Sequence, residues 1–490
     1  MARNWLLHLV LGAAVLASCG DGGQPGFAPG PVADLSERLE GGAGVFLGAS
    51  EPIVAPEGWE DTEYVASGIA SDYEVVGEFG DDGLWTFQPR NEAPYRTRVL
   101  VRRPVDPGRC SGVVLVEWLN VSGGVDANPD YSTLREEILR QGHIYVAVSA
   151  QRIGVEGGPV LVGVPGSQGL AGKGLKRIDP ERYGSLSLPG DGFSFSIFGQ
   201  VGRAIWRGGA PLGGCRPEMV LAVGESQSAI ALTTFYNGVQ ALDPVFSGFF
   251  VHSRGNTTLP LVEPGESADL AGSIGRALRP VFRGDLRAPV FDLQAEGDIT
   301  GILGSSGVRQ ADGPTFALWE VAGTAHADRR LIGPLADVLD CGAPVNDGPL
   351  HVVAKAGLRH LVSWVRDGES PPPTPRIELA PGPAPTIRRD EDGIAVGGLR
   401  TPPVEVPAEV LSGEPGSNPD IICLLLGSTV PLPEERIAEL YTDRADYLDR
   451  YGAAVQDAID RGYILEEDRR AIEAYARPER VASVVGAGER

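Results

Sequence analysis

The sequence predicts an α/β fold with a mostly parallel central sheet flanked by helices. Two observations carry this. From about residue 95 to residue 367, short β-branched apolar runs alternate with stretches of helical period, the pattern of strands joined by crossover helices. Within that span, the apolar run Met219–Val223 passes through the turn Gly224-Glu225-Ser226-Gln227-Ser228 directly into a helical stretch. A chain of 490 residues is long enough to bury the large core such a sheet needs.

The elements follow in order. Tyr95–Arg103 and Val113–Leu119 read as strands, Tyr131–Gln141 as a helix by its apolar spacing, and Ile144–Ala150 as a strand. Ser194–Trp206 reads as a helix, Met219–Val223 as a strand, and Gln227–Tyr236 as the helix leaving the turn. Val245–Val251, Val290–Ala295 and Phe316–Val321 supply the remaining strands, and His351–Val365 the last helix of the core. Two glycine-rich or irregular segments, residues 152–190 and 255–286, break the rhythm and are expected as insertions, the first forming a flap over a site. The core is thus expected to run from 36 to 370, closing on the stiff Ser370–Pro375. Residues 371–490 form a C-terminal extension, irregular or extended over 376–430 and helical over 433–447 and 453–476. It is expected to pack on the core, because Cys423 sits in an apolar run that needs burial.

Charge narrows the partners. With 65 acidic against 42 basic residues the net charge is −23, which repels phosphate backbones and anionic lipid surfaces and argues against nucleic acid. The N-terminus reads as an export signal: Arg3 is a positive n-region, Trp5 to Leu16 an apolar stretch, and Leu16-Ala17-Ser18-Cys19 resembles a bacterial lipobox. Residues 1–18 are therefore expected to be removed and Cys19 lipidated, with 20–35 a flexible tether. Lipid on Cys19 would be the chain's membrane contact. The remaining Cys110, Cys215, Cys341 and Cys423 suggest two disulfides in an exported chain. No CxxC, HExxH or paired-histidine spacing supports a metal site.

The turn at 224–228 has the residues of a nucleophile elbow. Attack by serine requires a hydroxyl raised clear of the backbone, a histidine base and amide donors for the oxyanion. Small residues are needed at both ends of the elbow, where helix and strand approach closely, and Gly224 and Ser228 are both small. The chain order of such folds places an acid after a later strand and a histidine after the last. Asp298, in Glu296-Gly297-Asp298 after Val290–Ala295, is favoured as the acid, with Glu296 the alternative. His326 follows Phe316–Val321 in a loop of small residues, where the base belongs. The oxyanion donors are expected to be the Gln227 amide and that of Asn120 or Val121 in the loop after Trp118. Arg254, ending a strand, is a candidate to orient a substrate carbonyl or carboxylate, and His252 could line the pocket.

These segments resemble a family of bacterial α/β-hydrolase domain proteins. The resemblance rests on Val116 to Ser122, Val148-Ser149-Ala150-Gln151, Arg182-Tyr183-Gly184, the elbow, Glu296-Gly297-Asp298 and Gly323-Thr324-Ala325-His326. Asn346-Asp347-Gly348-Pro349, Trp364 to Gly368 and Gly397 to Pro402 belong to it as well. It implies an α/β-hydrolase fold, a Ser-acid-His triad and carboxylic-ester hydrolysis through an acyl-enzyme, with no cofactor and a small-molecule or lipid-like ester as substrate. It also implies that the strand before the oxyanion loop lies beside the nucleophile strand. On that sheet order Cys110 would pair with Cys215, and Cys341 with Cys423. A non-catalytic surface module on the same fold is the rival reading, against which the serine, acid and histidine in order argue. A peptidase, polyester depolymerase or acyltransferase would use the same residues.

Overall fold

The computed structural model describes residues 30–48, 54–164, 169–273, 278–382 and 385–485. The export signal, Cys19 and most of the tether lie outside the described residues. Nine strands form one sheet: β1 (Asp34–Arg38), β2 (Trp59–Val75), β3 (Phe87–Pro104), β4 (Val113–Trp118), β5 (Ile144–Val148), β6 (Met219–Glu225), β7 (Gly248–His252), β8 (Val290–Ala295) and β9 (Phe316–Val321). Their order is β1-β2-β3-β5-β4-β6-β7-β8-β9. From β5 to β9 every pairing is parallel, while β1, β2 and β3 form an antiparallel edge.

The central strands are apolar on both faces because both faces are covered. In β4, Val114, Val116 and Trp118 pack toward helices α2 (Ser194–Arg207) and α3 (Gln227–Thr234). Val113 and Leu115 pack toward α1 (Pro129–Gln141) and α4 (Leu350–Asp367). Glu117, the one charge in β4, is fully buried and accepts from the amides of Asp130 and Tyr131, each at 3.1 Å, and from the Tyr145 hydroxyl at 2.7 Å. A carboxylate there complements the free amides at the start of α1, and so locks helix to sheet.

Three regions depart from the sequence expectation. Strands β1 and β2 were unread, and β3 begins eight residues before Tyr95. Part of the reason lies in β2, whose Trp-Glu-Asp-Thr-Glu start and Gly68 carry no clean alternation. Residues 152–190 are only partly flap-like: Leu175, Tyr183 and Leu186 are buried in the main core. The Arg182 Nε donates to Glu63 on β2 at 2.6 Å and the Tyr183 hydroxyl to the same carboxylate at 3.1 Å, so this segment ties the edge strands to the sheet. The helices of the C-terminal extension include α5 (Ile421–Leu425), α6 (Glu434–Leu440), α7 (Arg444–Asp460) and α8 (Pro478–Val485). The expected break near 447–453 falls instead at Tyr441–Asp443, where the Asp443 carboxylate caps α7 by accepting the Asp446 amide at 2.8 Å. The extension has its own apolar cluster, including Tyr447, Tyr451 and Val455, which reaches Val352 of α4.

Both disulfides connect the pairs that the resemblance implied. Cys110 and Cys215 precede the adjacent parallel strands β4 and β6, with Cα atoms 6.0 Å apart. Cys341–Cys423 has a Cα separation of 5.3 Å and joins the extension to the core. Two disulfides fit an oxidising compartment. Among the described residues no helix is long and apolar enough to cross a membrane.

Candidate active site

The carboxyl ends of β6, β8 and β9 bring three side chains together. Ser226 stands between β6 and α3 with φ 60° and ψ −121°, a backbone conformation that costs energy for any residue with a side chain. Close packing forces it: a Cβ on Gly224 would lie 3.1 Å from that of Ser228 and 3.0 Å from the Leu232 side chain. The strained turn lifts Ser226 Oγ to 2.8 Å from His326 Nε2. On the other side of the ring, His326 Nδ1 donates to Asp298 Oδ1 at 2.7 Å. Because a carboxylate can only accept, it fixes the proton on Nδ1 and leaves Nε2 to accept from the serine hydroxyl. Burial lowers the basicity of His326, but the charge and hydrogen bond of Asp298 outweigh it and hold the imidazole above its ordinary value.

The two carboxylates after β8 divide cleanly. Asp298 faces the ring, and its second oxygen accepts from the Ser253 hydroxyl at 2.6 Å and the Ala295 amide at 2.7 Å. Glu296 points the other way. It pairs with Arg389 at 2.7 Å and accepts from the amides of Gly323 at 2.7 Å and Gly413 at 2.9 Å. It thus holds the C-terminal extension against the loop that carries His326.

The expected oxyanion donors are less simple. Gln227 opens α3, so its amide is one of those a helix leaves without an internal partner. The Asn120 and Val121 amides, expected as the second donor, are both engaged: Asn120 donates to Ala127 O at 2.9 Å and Val121 to the Gln227 side chain at 3.3 Å. Only the Val121 bond, which is long and made to a side chain, is easily displaced by a better acceptor.

Arg254 does not reach the site, contrary to expectation. Its guanidinium is buried, paired with Asp292 at 2.7 Å, donates to the carbonyls of Pro280 and Val308, and lies 4.5 Å from the Phe282 ring centroid. These contacts tie Pro280 of the 255–286 segment, and Val308 after it, to Asp292 of the sheet.

Ser253 and Glu225 were not singled out in the sequence, and His252, a candidate to line the pocket, forms a second histidine–aspartate pair. Ser253, which holds Asp298, is the only described residue besides Ser226 that is not glycine and has a positive φ, 54°. It directly follows β7, the neighbour of β8, and that adjacency was the available signal. His252 Nδ1 donates to Asp130 Oδ1 at 3.0 Å, and burial is outweighed by Asp130, Glu225 and Asp298, which lift this histidine to about 9. Glu225, inside the elbow, is pushed up to about 7 by burial despite both histidines.

Ser226 and His326 open on a cavity of about 510 Å³. Residues Val162, Val164 and Leu170 of the first insertion form part of its wall, and Ile422, Leu425 and Leu426 of the extension another. The Leu425 carbonyl accepts the amide of Ala327, next to His326, at 3.0 Å.

A nine-stranded sheet with this order and a parallel run from β5 to β9, a positive-φ serine between strand and helix, and a histidine after the last strand define the α/β-hydrolase class. Residues 29–474 match the family described as alpha/beta hydrolase domain, and the chain belongs to that family. Among solved structures, it is similar to a putative dienelactone hydrolase from Klebsiella pneumoniae subsp. pneumoniae MGH 78578. That match has 14% identity and a TM-score of 0.31, and covers 62% of this chain and 99% of that one. A fungal esterase from Rhizomucor miehei matches at 11% identity and TM-score 0.31, over 61% of this chain and 85% of that one. A thermostable esterase from Pseudomonas putida ECU1011 matches at 12% identity and TM-score 0.30, over 61% and 82%. No curated protein matches.

Proposed function

We propose that the protein is a serine hydrolase that cleaves carboxylic esters through an acyl-enzyme on Ser226. The observation that carries this reading is the unbroken line from Asp298 through His326 to Ser226, with contacts of 2.7 and 2.8 Å. His326 takes the serine proton as Oγ attacks the ester carbonyl, and returns it to the departing alcohol. Asp298 holds the ring and stabilises the imidazolium, while Ser253 holds Asp298. The Gln227 amide stabilises the oxyanion, joined by the Val121 amide once the developing charge displaces the Gln227 side chain. Water then attacks the acyl-enzyme by the same route and releases the acid.

The test is covalent labelling. A fluorophosphonate is expected to modify Ser226 in the wild-type protein, identified by peptide mass, and to leave Ser226→Ala unlabelled. Hydrolysis of p-nitrophenyl acetate is expected to fall by about a thousandfold or more in that variant. Full activity in Ser226→Ala would end the proposal. The same reading places the mature chain in the cell envelope with a lipid on Cys19, supported by the lipobox residues and the two disulfides. Incorporation of labelled palmitate that is lost in Cys19→Ala tests it.

A further inference from the structure

We infer that the site takes an uncharged ester with one long or bulky apolar group, and that the C-terminal segment around α5 sets how long that group can be. This rests on the ester-hydrolase reading and names its substrate class. The cavity reached from Ser226 and His326 has a volume of about 510 Å³. At about 30 Å³ for each water-sized group, that is room for roughly fifteen non-hydrogen atoms. An acetyl group would leave most of it filled with water.

Its chemistry is one-sided. Its lining is mostly apolar, with Phe46, Val162, Leu335, Ile422 and Leu425 among its members. Among the described lining residues there is no lysine or arginine, and Glu225 is the one carboxyl. An anionic substrate would therefore lose its hydration without gaining a counter-charge, beside a carboxyl and inside a protein of net charge −23. An apolar chain loses nothing and gains burial.

The extension forms one wall of this space, beside the histidine loop. Ile422 and Leu425 come from the short helix α5, and Leu426 directly follows it; its Cys423 is bonded to Cys341, and its Leu425 carbonyl accepts the amide after His326. This wall cannot swing away from the histidine loop without breaking those links. A fixed wall gives a length limit, where a mobile one would give broad tolerance.

The experiment uses two ester series on the full mature chain: p-nitrophenyl esters from acetate to hexadecanoate, and acetates of n-alkanols of the same lengths. In at least one series kcat/KM is expected to rise by up to about fourfold for each added methylene, then to stop rising at on the order of ten carbons. The p-nitrophenyl hemiester of succinic acid is expected to be about tenfold or more poorer than the butyrate of equal length. In Ile422→Trp, and independently in Leu335→Trp, the decanoate-to-acetate ratio within each variant is expected to fall by about tenfold. Fluorophosphonate labelling of Ser226 shows that each variant is folded. Flat profiles in both series with Ser226 still labelled would overturn this inference alone. Wall substitutions that leave the ratio unmoved would remove the role of α5 and its neighbours. Absence of any labelling in the wild type would sink the hydrolase reading and this inference together.

Discussion

Among the described residues two buried histidine–aspartate pairs stand side by side, and only one of them faces a serine hydroxyl. In both, an Nδ1 donates to an aspartate oxygen, His326 to Asp298 at 2.7 Å and His252 to Asp130 at 3.0 Å. The difference lies at Nε2. That of His326 meets Ser226 Oγ, while that of His252 is buried without a hydrogen-bond partner. A histidine–carboxylate pair can thus simply hold a buried imidazole, and under the proposed mechanism it serves as a base only where the elbow brings a hydroxyl to it.

Substitution can break this contrast at several strengths. The largest expected effect is at the first pair: His326→Gln and Asp298→Asn should each lower kcat by about ten-thousandfold. His252→Gln should lower it by about tenfold or less, and steady-state kinetics on one ester would compare them. A comparable loss in His252→Gln would show that both pairs serve the reaction. Next comes Glu296→Gln, which leaves Arg389 with a weakened partner and should cost about 2 kcal/mol of stability, read as a lower urea midpoint, with kcat largely kept. That outcome separates the two carboxylates after β8, since Asp298→Asn should do the reverse.

The last contrast concerns pH. His252 is lifted from 6.5 in the unfolded chain to about 9 in the fold. The folded state therefore holds the extra proton between those values. Its stabilisation is present in full below about 6.5 and is lost as pH rises through about 9, amounting to up to about 3 kcal/mol. Urea midpoints at pH 6 and 9 should show this fall in the wild type and a shallower one in His252→Gln. Equal slopes would mean that His252 is neutral in the fold.

The first pair was legible in the sequence and the second was not. Ser226 and His326 stand in loops of small residues after apolar strands, and the fold's chain order ranks them. The choice between Glu296 and Asp298 needed three dimensions, because residues two apart in one tight turn point to opposite sides. Asp130 and His252 are 122 positions apart and meet only because β4 and β7 flank β6. Arg254 misled for a related reason: an arginine at a strand end faces either the site or an insertion, and Phe282 and Asp292 lie far from it in sequence. The edge strands β1 and β2 escaped because one face of a sheet edge meets solvent, so polar residues interrupt the pattern that marks the central strands.

The carbonyl of Leu425 that receives the amide of Ala327 has an implication for how the molecule is made. Residues 421–426 leave the ribosome almost a hundred positions after His326, yet they supply a hydrogen bond to its loop and a face of the cavity. A chain released before residue 421 would have the serine, the acid and the histidine but neither of these supports. The site is therefore finished from its far end, by the segment whose attachment requires Cys341 and Cys423 to find each other.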